Sequence, residues 1–280
     1  MTLAWVEVEP LVRGALDEDI GARDLTSESV VPFETRARGV FVAKQVVVVA
    51  GLDVARAAFR LLDGEAGWEP HVEDGATTAV GQPLAEVRGR ARALLAAERV
   101  ALNFLQRMSA VATLTRRFVD AVVGTGVQVR DTRKTTPLLR ALEKYAVERG
   151  GGVPHRSGLD SGVLVKENHI RLAGSVTAAT RRALATGGGH VIEVEVERID
   201  QIEEALRAGA GMILLDNFEP DGVHEAVRLV ARRVPVEVSG GVRLDNVRAY
   251  AEAGPDFIAV GALTHSAPAA DISLEIEPVG

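Results

Sequence analysis

His190-Val191-Ile192-Glu193-Val194, then the stretch Ile199–Ala208, then Met212-Ile213-Leu214-Leu215 reads as strand, helix, strand. Both short runs have apolar cores, and the stretch between them has helical spacing. The rhythm continues outward on both sides. Further strands are expected at Val127–Arg130, Val163–Val165, Val236–Val238 and Phe257–Val260. Helical stretches at Leu138–Arg149, Ser175–Thr186, Asp221–Arg232 and Asp245–Ala253 separate them. Repeated βα units with short apolar strands predict a parallel sheet closed, or nearly closed, as a barrel. About 140 residues fall short of the 200 or more that eight units typically occupy. The fold class expected is therefore α/β, an irregular or incomplete α/β barrel.

Before Gly124 the pattern differs. Ala91 to Val123 holds no Gly or Pro, and Leu94, Leu95, Val100, Leu102, Phe104, Leu105 and Met108 give it a broad apolar helical face. Arg99 and Asn103 are i,i+4 neighbours on this helix. The residues before it read as mixed α+β. A helix is expected over Val6–Leu16, ending before Asp17-Glu18-Asp19, and β structure over Ala37–Ala50. Asp53 is the expected N-cap of a helix reaching Leu62, and short strands are expected at Thr77–Val80 and Leu84–Val87. The organisation predicted is an N-terminal α+β domain over 1–112, a barrel carrying the site over 113–265, and a tail over 266–280 returning to the N-terminal domain.

The chain has 280 residues, a formal net charge of −7, 47% hydrophobic and 25% charged residues, and no cysteine. Disulfides, thiolate nucleophiles and thiolate metal sites are thereby excluded. The longest apolar run, Val46–Ala50, is far short of a membrane span, and the first ten residues carry no basic n-region. A cytoplasmic enzyme without membrane association is expected. An acidic pI near 5.5 with 4% aromatics argues against nucleic acid as a partner.

Arg130 to Arg171 departs from that acidic background. It holds nine basic and five acidic residues, a net +4, which concentrates small anions locally. Only four lysines occur in the chain (Lys44, Lys134, Lys144, Lys166), and three lie here. Arg presents a flat fork suited to carboxylates, whereas Lys presents a point charge suited to phosphate oxygens. A solvated charged loop would account for a basic run of this kind, but Gly, Thr and Pro interrupt it and apolar strands flank it, which favours a lined pocket.

Charged groups also fall at the C-terminal ends of the expected strands, where a barrel builds its active site. Arg133 and Lys134 follow the first strand, Lys166 the second, Glu195 ends the third, and Asp216-Asn217 follow the fourth. Alternation puts Glu193 and Glu195 on one face. Such carboxylates either neutralise the lysines or hold a cation. Mg²⁺ takes one or two carboxylates plus substrate phosphates, which suits Glu195 and Asp216. Ser239-Gly240-Gly241 and Val260-Gly261-Ala262 follow the last two strands, as in the phosphate site of barrels, where glycine lets backbone N–H groups approach phosphate oxygens. His155 beside Arg156 either joins the anion site or is structural. No Ser–His–Asp set, Walker A motif or dinucleotide fingerprint is present. The residues thus describe a site for a phosphorylated sugar with Mg²⁺ and a carboxylated partner, working by positioning and electrostatics.

At this point the chain resembles the quinolinate phosphoribosyltransferases, the carboxylating nicotinate-nucleotide pyrophosphorylases. The resemblance runs from Gly21-Ala22-Arg23-Asp24-Leu25-Thr26 through Glu98 to Asn103, Asp131 to Pro137, Gly150 to Arg156 and Lys166 to His169. It continues through Leu215-Asp216-Asn217, Ser239 to Gly241 and Val260 to His265. It implies transfer of phosphoribose from phosphoribosyl pyrophosphate to quinolinate, giving nicotinate mononucleotide, pyrophosphate and CO₂. It also implies that Arg133, His155, Arg156 and Lys166 hold the two carboxylates, with Arg99 donated by a second subunit of a homodimer. Thr132 lies within the same motif as a substrate contact. Lys134, Glu195 and Asp216 would face ribose, pyrophosphate and Mg²⁺, so that Lys134, Lys166, Glu195 and Asp216 form the catalytic set. Ser239, Gly240, Gly241, Val260, Gly261 and Ala262 would bind the 5′-phosphate. Three positions depart from the family's habit: Pro154 for Asn, Leu138 for Gly, and Ser161 for Asp. The alternatives are a nicotinate phosphoribosyltransferase that releases no CO₂, a Schiff-base aldolase using Lys166, and a non-catalytic phosphosugar-binding protein.

Overall fold

The structure is a computed structural model and describes residues 3–279. Contacts divide the chain into two compact units. The first comprises the chain up to Arg116, Thr136–Gly151, and Ser266 onward; the second comprises Arg117–Thr135 and Gly152–His265.

The first unit begins with helices α1 (Trp5–Ile20) and α2 (Leu25–Val30) and is built on a four-stranded sheet. Its antiparallel order is β12 (Ile272–Val279), β1 (Arg36–Ala43), β5 (Pro83–Arg90), β3 (Gly67–Pro70). The C-terminal strand lies along the whole of β1, from Arg36 opposite Val279 to Ala43 opposite Ile272. Phe41 stacks edge-on to Phe59 at 5.9 Å and tilts against Trp68 at 5.7 Å, contacts of about 0.5–1.5 kcal/mol each beyond burial. Helix α3 (Leu52–Leu62) starts earlier than expected. Gly51, at φ 102°, is its N-cap, and Asp74 accepts the N–H groups of Gly51 and Leu52. Asp53 therefore sits inside the first turn, and the capping carboxylate comes from a residue 22 positions later in the chain. Helix α1 likewise runs through Asp17-Glu18-Asp19 instead of ending before them. The β structure expected over Ala37–Ala50 divides into β1 and the two-residue β2 (Val47–Val48), which pairs with β4 (Thr77–Thr78).

Helix α4 (Ala91–Ala121) matches the long uninterrupted pattern, and its residues up to Arg116 belong to the first unit. Helix α5 (Arg140–Arg149), expected within the barrel, groups with this unit too. The reason is local. Glu143, fully buried, accepts from Arg107 of α4 at 2.6 Å and from the Thr136 N–H at 3.0 Å, and the Tyr145 hydroxyl donates to Asp74 at 2.7 Å.

The second unit carries the expected α/β architecture. Its parallel strands stand in the order β6 (Gln128–Arg130), β11 (Phe257–Ala259), β10 (Val236–Ser239), β9 (Met212–Asp216), β8 (Ile192–Val196), β7 (Val163–Val165). One further parallel bridge joins Val153 to Arg130. Chain order and spatial order agree from β7 to β11, as in a barrel, while the pairing stops at β7, so six paired strands make an incomplete one. Helices α7 (Val176–Thr186) and α8 (Ile199–Ala208) pack on β8, and α9 (Pro220–Val230) packs on β10. The short α6 (Glu167–Ala173) and α11 (Ala262–His265) leave no mark in the sequence pattern because neither is long enough to show a helical period.

Candidate active site

Parallel pairing sets the residues of the sheet in levels. Glu195, Leu214, Glu237, Phe257 and Gln128 stand side by side on one face. Two residues further along the strands, Asp216, Ser239, Ala259 and Arg130 form the next level of that face. The alternate residues Val194, Ile213, Leu215, Val238 and Ile258 are apolar and fully buried, as suits a face covered by helices. Carboxylates in the middle of strands are otherwise rare, because an unpaired buried charge is strongly disfavoured.

Glu237 is fully buried and pairs with Arg130, whose Nη1 lies 2.7 Å from Glu237 Oε2. The Arg130 guanidinium also lies 4.5 Å over the Phe257 ring. His155 comes from the segment after the Val153 bridge. Its Nε2 lies 3.1 Å from Glu193 Oε2 and 3.4 Å from Glu237 Oε1, and its backbone N–H donates to buried Asp131 at 2.7 Å. Burial works to lower the pKa of this imidazole, but the hydrogen bonds and charges of Glu193 and Glu237 overcome it and lift the ring to about 9. One contact opposes this: the Arg156 N–H is directed at His155 Nδ1 at 2.7 Å, where only a ring neutral at Nδ1 can accept. Charge balance outweighs it. A neutral ring leaves the two buried carboxylates with Arg130 on Glu237 and only the charge of Arg156 near Glu193, and a buried charge short of a partner costs several kcal/mol, whereas one neutral hydrogen bond contributes about 1 kcal/mol. His155, Glu193 and Glu237 also stand close enough together to hold a cation, but Arg130 and a charged imidazole already neutralise the two carboxylates.

Arg156 anchors through Nη1 to the Gly162 carbonyl at 2.9 Å. Burial lowers its pKa and the nearby charge of Arg133 lowers it further, with Glu193 opposing. The Nε of Arg133 is buried with no hydrogen-bond partner among the described residues. Two guanidiniums that repel each other in a desolvated place form a site for an anion.

Lys166 pairs with Glu195, so one of the two carboxylates expected to hold Mg²⁺ is engaged by a lysine. Burial raises the Asp216 pKa and Glu195 raises it further, while Lys166 and Lys134 pull it down. Lys134, Lys166, Glu195 and Asp216 thus share one field. Two oxygens-only side chains beside two ammonium groups suit a hard cation carried in with phosphate oxygens. In Lys166-Glu167-Asn168-His169 the histidine serves the backbone, its Nδ1 accepting the Lys166 N–H at 2.9 Å at the start of α6.

The glycine loops are tightly closed. Gly240 has φ 91°, and a Cβ there would stand 2.1 Å from Asn217 Oδ1. A Cβ on Gly261 would stand 3.1 Å from Lys134 Cδ, and Thr264 Oγ1 donates to the Lys134 carbonyl at 2.9 Å, tying the two loops together. The helix after Ser239–Gly241 begins only at Val247, so that loop offers its own N–H groups and no adjoining helix terminus. Gly261 does lead directly into α11.

Thr132, Arg133, Lys134, His155, Arg156, Lys166, Glu195, Asp216, Ser239–Gly241 and Val260–Ala262 all belong to the second unit. Arg99 is exposed on α4 in the first unit, next to exposed Asn103. Glu237, which pairs with Arg130 and meets His155, is singled out by no motif spacing. A detectable signal exists in Val236-Glu237-Val238, an acid inside a three-residue apolar strand core. A cavity of about 710 Å³ near Trp5, Arg56 and Tyr145 lies in the first unit and includes none of the expected site residues. Among the described residues no helix is long and apolar enough to cross a membrane.

A parallel α/β unit with cations, paired carboxylates and glycine loops at its strand ends defines a barrel-type enzyme for anionic substrates. The chain belongs to the quinolinate phosphoribosyl transferase family: residues 24–109 match its N-terminal domain and residues 111–275 its C-terminal domain. It is 41% identical to the probable nicotinate-nucleotide pyrophosphorylase [carboxylating] of Bacillus subtilis (strain 168), covering 97% of this chain and 94% of that one. It is 44% identical to the nicotinate-nucleotide pyrophosphorylase [carboxylating] of Mycobacterium leprae (strain TN), covering 95% of each. The solved nicotinate-nucleotide pyrophosphorylase of Francisella tularensis superposes with a TM-score of 0.94 at 35% identity, covering 99% of this chain and 98% of that one. The human nicotinic acid phosphoribosyltransferase structure, at 14% identity and TM-score 0.63, shares the fold alone, covering 100% of this chain and 74% of that one.

Proposed function

We infer that the protein is a decarboxylating quinolinate phosphoribosyltransferase, a pentosyltransferase of NAD biosynthesis. The single observation that carries this is the pair of half-buried guanidiniums, Arg133 and Arg156, held near each other within the unit that also holds Lys166 and the glycine loops. An aromatic dicarboxylate neutralises such a pair, whereas a monocarboxylate leaves one cation uncompensated.

In this reading Arg133, His155, Arg156 and Lys166 hold the two carboxylates of quinolinate, with Thr132 contributing beside them. Lys134 and Asp216 face the ribose and pyrophosphate, and Ser239, Gly240, Gly241, Val260, Gly261 and Ala262 take the 5′-phosphate on backbone N–H groups. Glu195 and Asp216 would hold Mg²⁺, which would supply charge neutralisation for the departing pyrophosphate. The residues of the chain fix the pyridine nitrogen against the anomeric carbon and stabilise charge that moves from quinolinate to pyrophosphate. No covalent nucleophile is required. Arg99 completes the site of a second subunit, so the working form is at least a homodimer, and the enzyme acts in the cytoplasm.

Incubation with quinolinate, phosphoribosyl pyrophosphate and Mg²⁺ tests this. CO₂ and nicotinate mononucleotide are expected in equal amounts and are lost in Arg133→Ala. Nucleotide from nicotinate without CO₂ would assign the protein to the non-decarboxylating transferases, and binding without turnover would leave a phosphosugar-binding protein.

A further inference from the structure

Two acidic side chains of the barrel sheet, Glu193 of β8 and Glu237 of β10, project to the same point although β9 separates their strands. Both meet His155 Nε2, at 3.1 and 3.4 Å. Arg130 of β6 closes the far side of Glu237 at 2.7 Å and is itself covered by Phe257 of β11. None of these three charged residues carries a role in the substrate contacts set out above. All are well buried: the side chains of Glu193, Glu237 and Arg130 are 8%, 0% and 17% exposed. A charge network of this depth is maintained only when each member is matched, and it fixes orientation more than it adds stability.

We propose that Glu193 and Glu237, steadied by Arg130, are positioning residues that keep the His155 ring cationic and fixed in direction, so that it joins Arg133 and Arg156 as a third cation on the dicarboxylate substrate. This rests on the transferase reading of the site. The ring faces Glu193 from β8 and Glu237 from β10; Arg130 from β6 stands behind Glu237, Asp131 in the loop after β6 takes the His155 backbone N–H, and the Arg156 N–H meets the ring at Nδ1, with Arg133 beside the Arg156 guanidinium. A quinolinate carboxylate held by His155 would be repelled by the two buried glutamates on the ring unless the imidazole carried a positive charge to offset them. Loss of either glutamate should thus weaken quinolinate binding specifically, and should do so more at high pH, where the ring loses its proton first.

The test uses the full-length enzyme and two variants, Glu237→Gln and Glu193→Gln. Wild type is first shown to release CO₂ from quinolinate; failure there sinks the transferase reading and is visible before any variant is compared. In the variants the quinolinate KM should rise by about tenfold, with the phosphoribosyl pyrophosphate KM within about twofold of wild type. The alkaline limb of kcat/KM for quinolinate should move toward lower pH. A parallel rise in both KM values with an unmoved limb would mean that the glutamates only support the fold, and would overturn the proposal. Because Glu237→Gln leaves Arg130 buried without its carboxylate and could unfold the unit, a second readout does not depend on that variant. In wild type, ¹⁵N spectra of the His155 ring, assigned with His155→Asn, should show both nitrogens protonated near neutral pH. A neutral ring protonated only at Nε2, accepting the Arg156 N–H at Nδ1, would overturn the proposal directly.

Discussion

Leu138 adopts φ 67° and is 83% exposed, so its backbone occupies a region that favours glycine while its side chain gains little from packing. A left-handed residue with a Cβ costs about 1–2 kcal/mol, and glycine offsets part of the relief through its greater freedom in the unfolded chain. Leu138→Gly should raise stability by roughly 0.5–1 kcal/mol. A chemical denaturation midpoint that falls would show that the exposed leucine packs against something in solution. Gly240 presents the opposite case: at φ 91° with Asn217 Oδ1 within 2.1 Å of any Cβ, no side chain fits. Gly240→Ala should raise the KM for phosphoribosyl pyrophosphate by about tenfold or more while the quinolinate KM changes little. An equal effect on both substrates, measured by initial rates, would detach this loop from the 5′-phosphate. Ser161 accepts the Gly158 N–H at 2.8 Å and meets Ser157 Oγ at 3.1 Å, so its hydroxyl organises the turn in which it sits.

Among the elements, the antiparallel sheet of the first unit is expected to lose stability in acid through Glu86. Glu86 of β5 stands between Arg38, at 2.6 Å on neighbouring β1, and Arg88 on its own strand. Arg38 chiefly, and then Arg88, pull the Glu86 carboxyl down to about 2 from 4.5, against the cost of burial. A depressed carboxylate stabilises the fold above its unfolded pKa, and that contribution is lost as pH falls from 4.5 through about 2. Glu86→Gln should lower stability at neutral pH and flatten the acid limb of a Tm-against-pH curve; an unchanged slope below pH 4.5 would locate the acid sensitivity elsewhere. Helix α3 shows a second way elements depend on distant chain, since its first two N–H groups are satisfied by Asp74 and not by a residue beside them.

For the whole molecule, the shared-site reading makes a quantitative prediction. Arg99→Ala and Arg133→Ala should each be inactive as pure proteins. Mixed and allowed to exchange subunits, they form heterodimers in which one site recovers Arg133 from one chain and Arg99 from the other. Random pairing gives half heterodimers with one good site in two, so about a quarter of wild-type activity should return. No recovery after verified exchange would show that Arg99 serves its own chain or none. The division of the chain bears on the same scale: α5, flanked by motif residues, belongs with the first unit because Glu143 is held there by Arg107 and Thr136.

The parallel α/β unit, the long helix Ala91–Ala121, and the set of cations and glycine loops at strand ends are all written in the order of residues, because apolar periodicity and motif spacing are local and survive without coordinates. The family is legible for the same reason, from residues quoted in order along the chain. Which charges meet is settled only once the chain is folded. Glu193 and Glu195 share a face in any reading, yet one turns to His155 and the other to Lys166. Asp74 caps α3 in place of Asp53, and Glu143 draws α5 to the first unit. These pairings join residues tens of positions apart, and a buried charge takes whichever partner the fold brings within reach, since leaving it unpaired costs several kcal/mol. No local pattern encodes that choice.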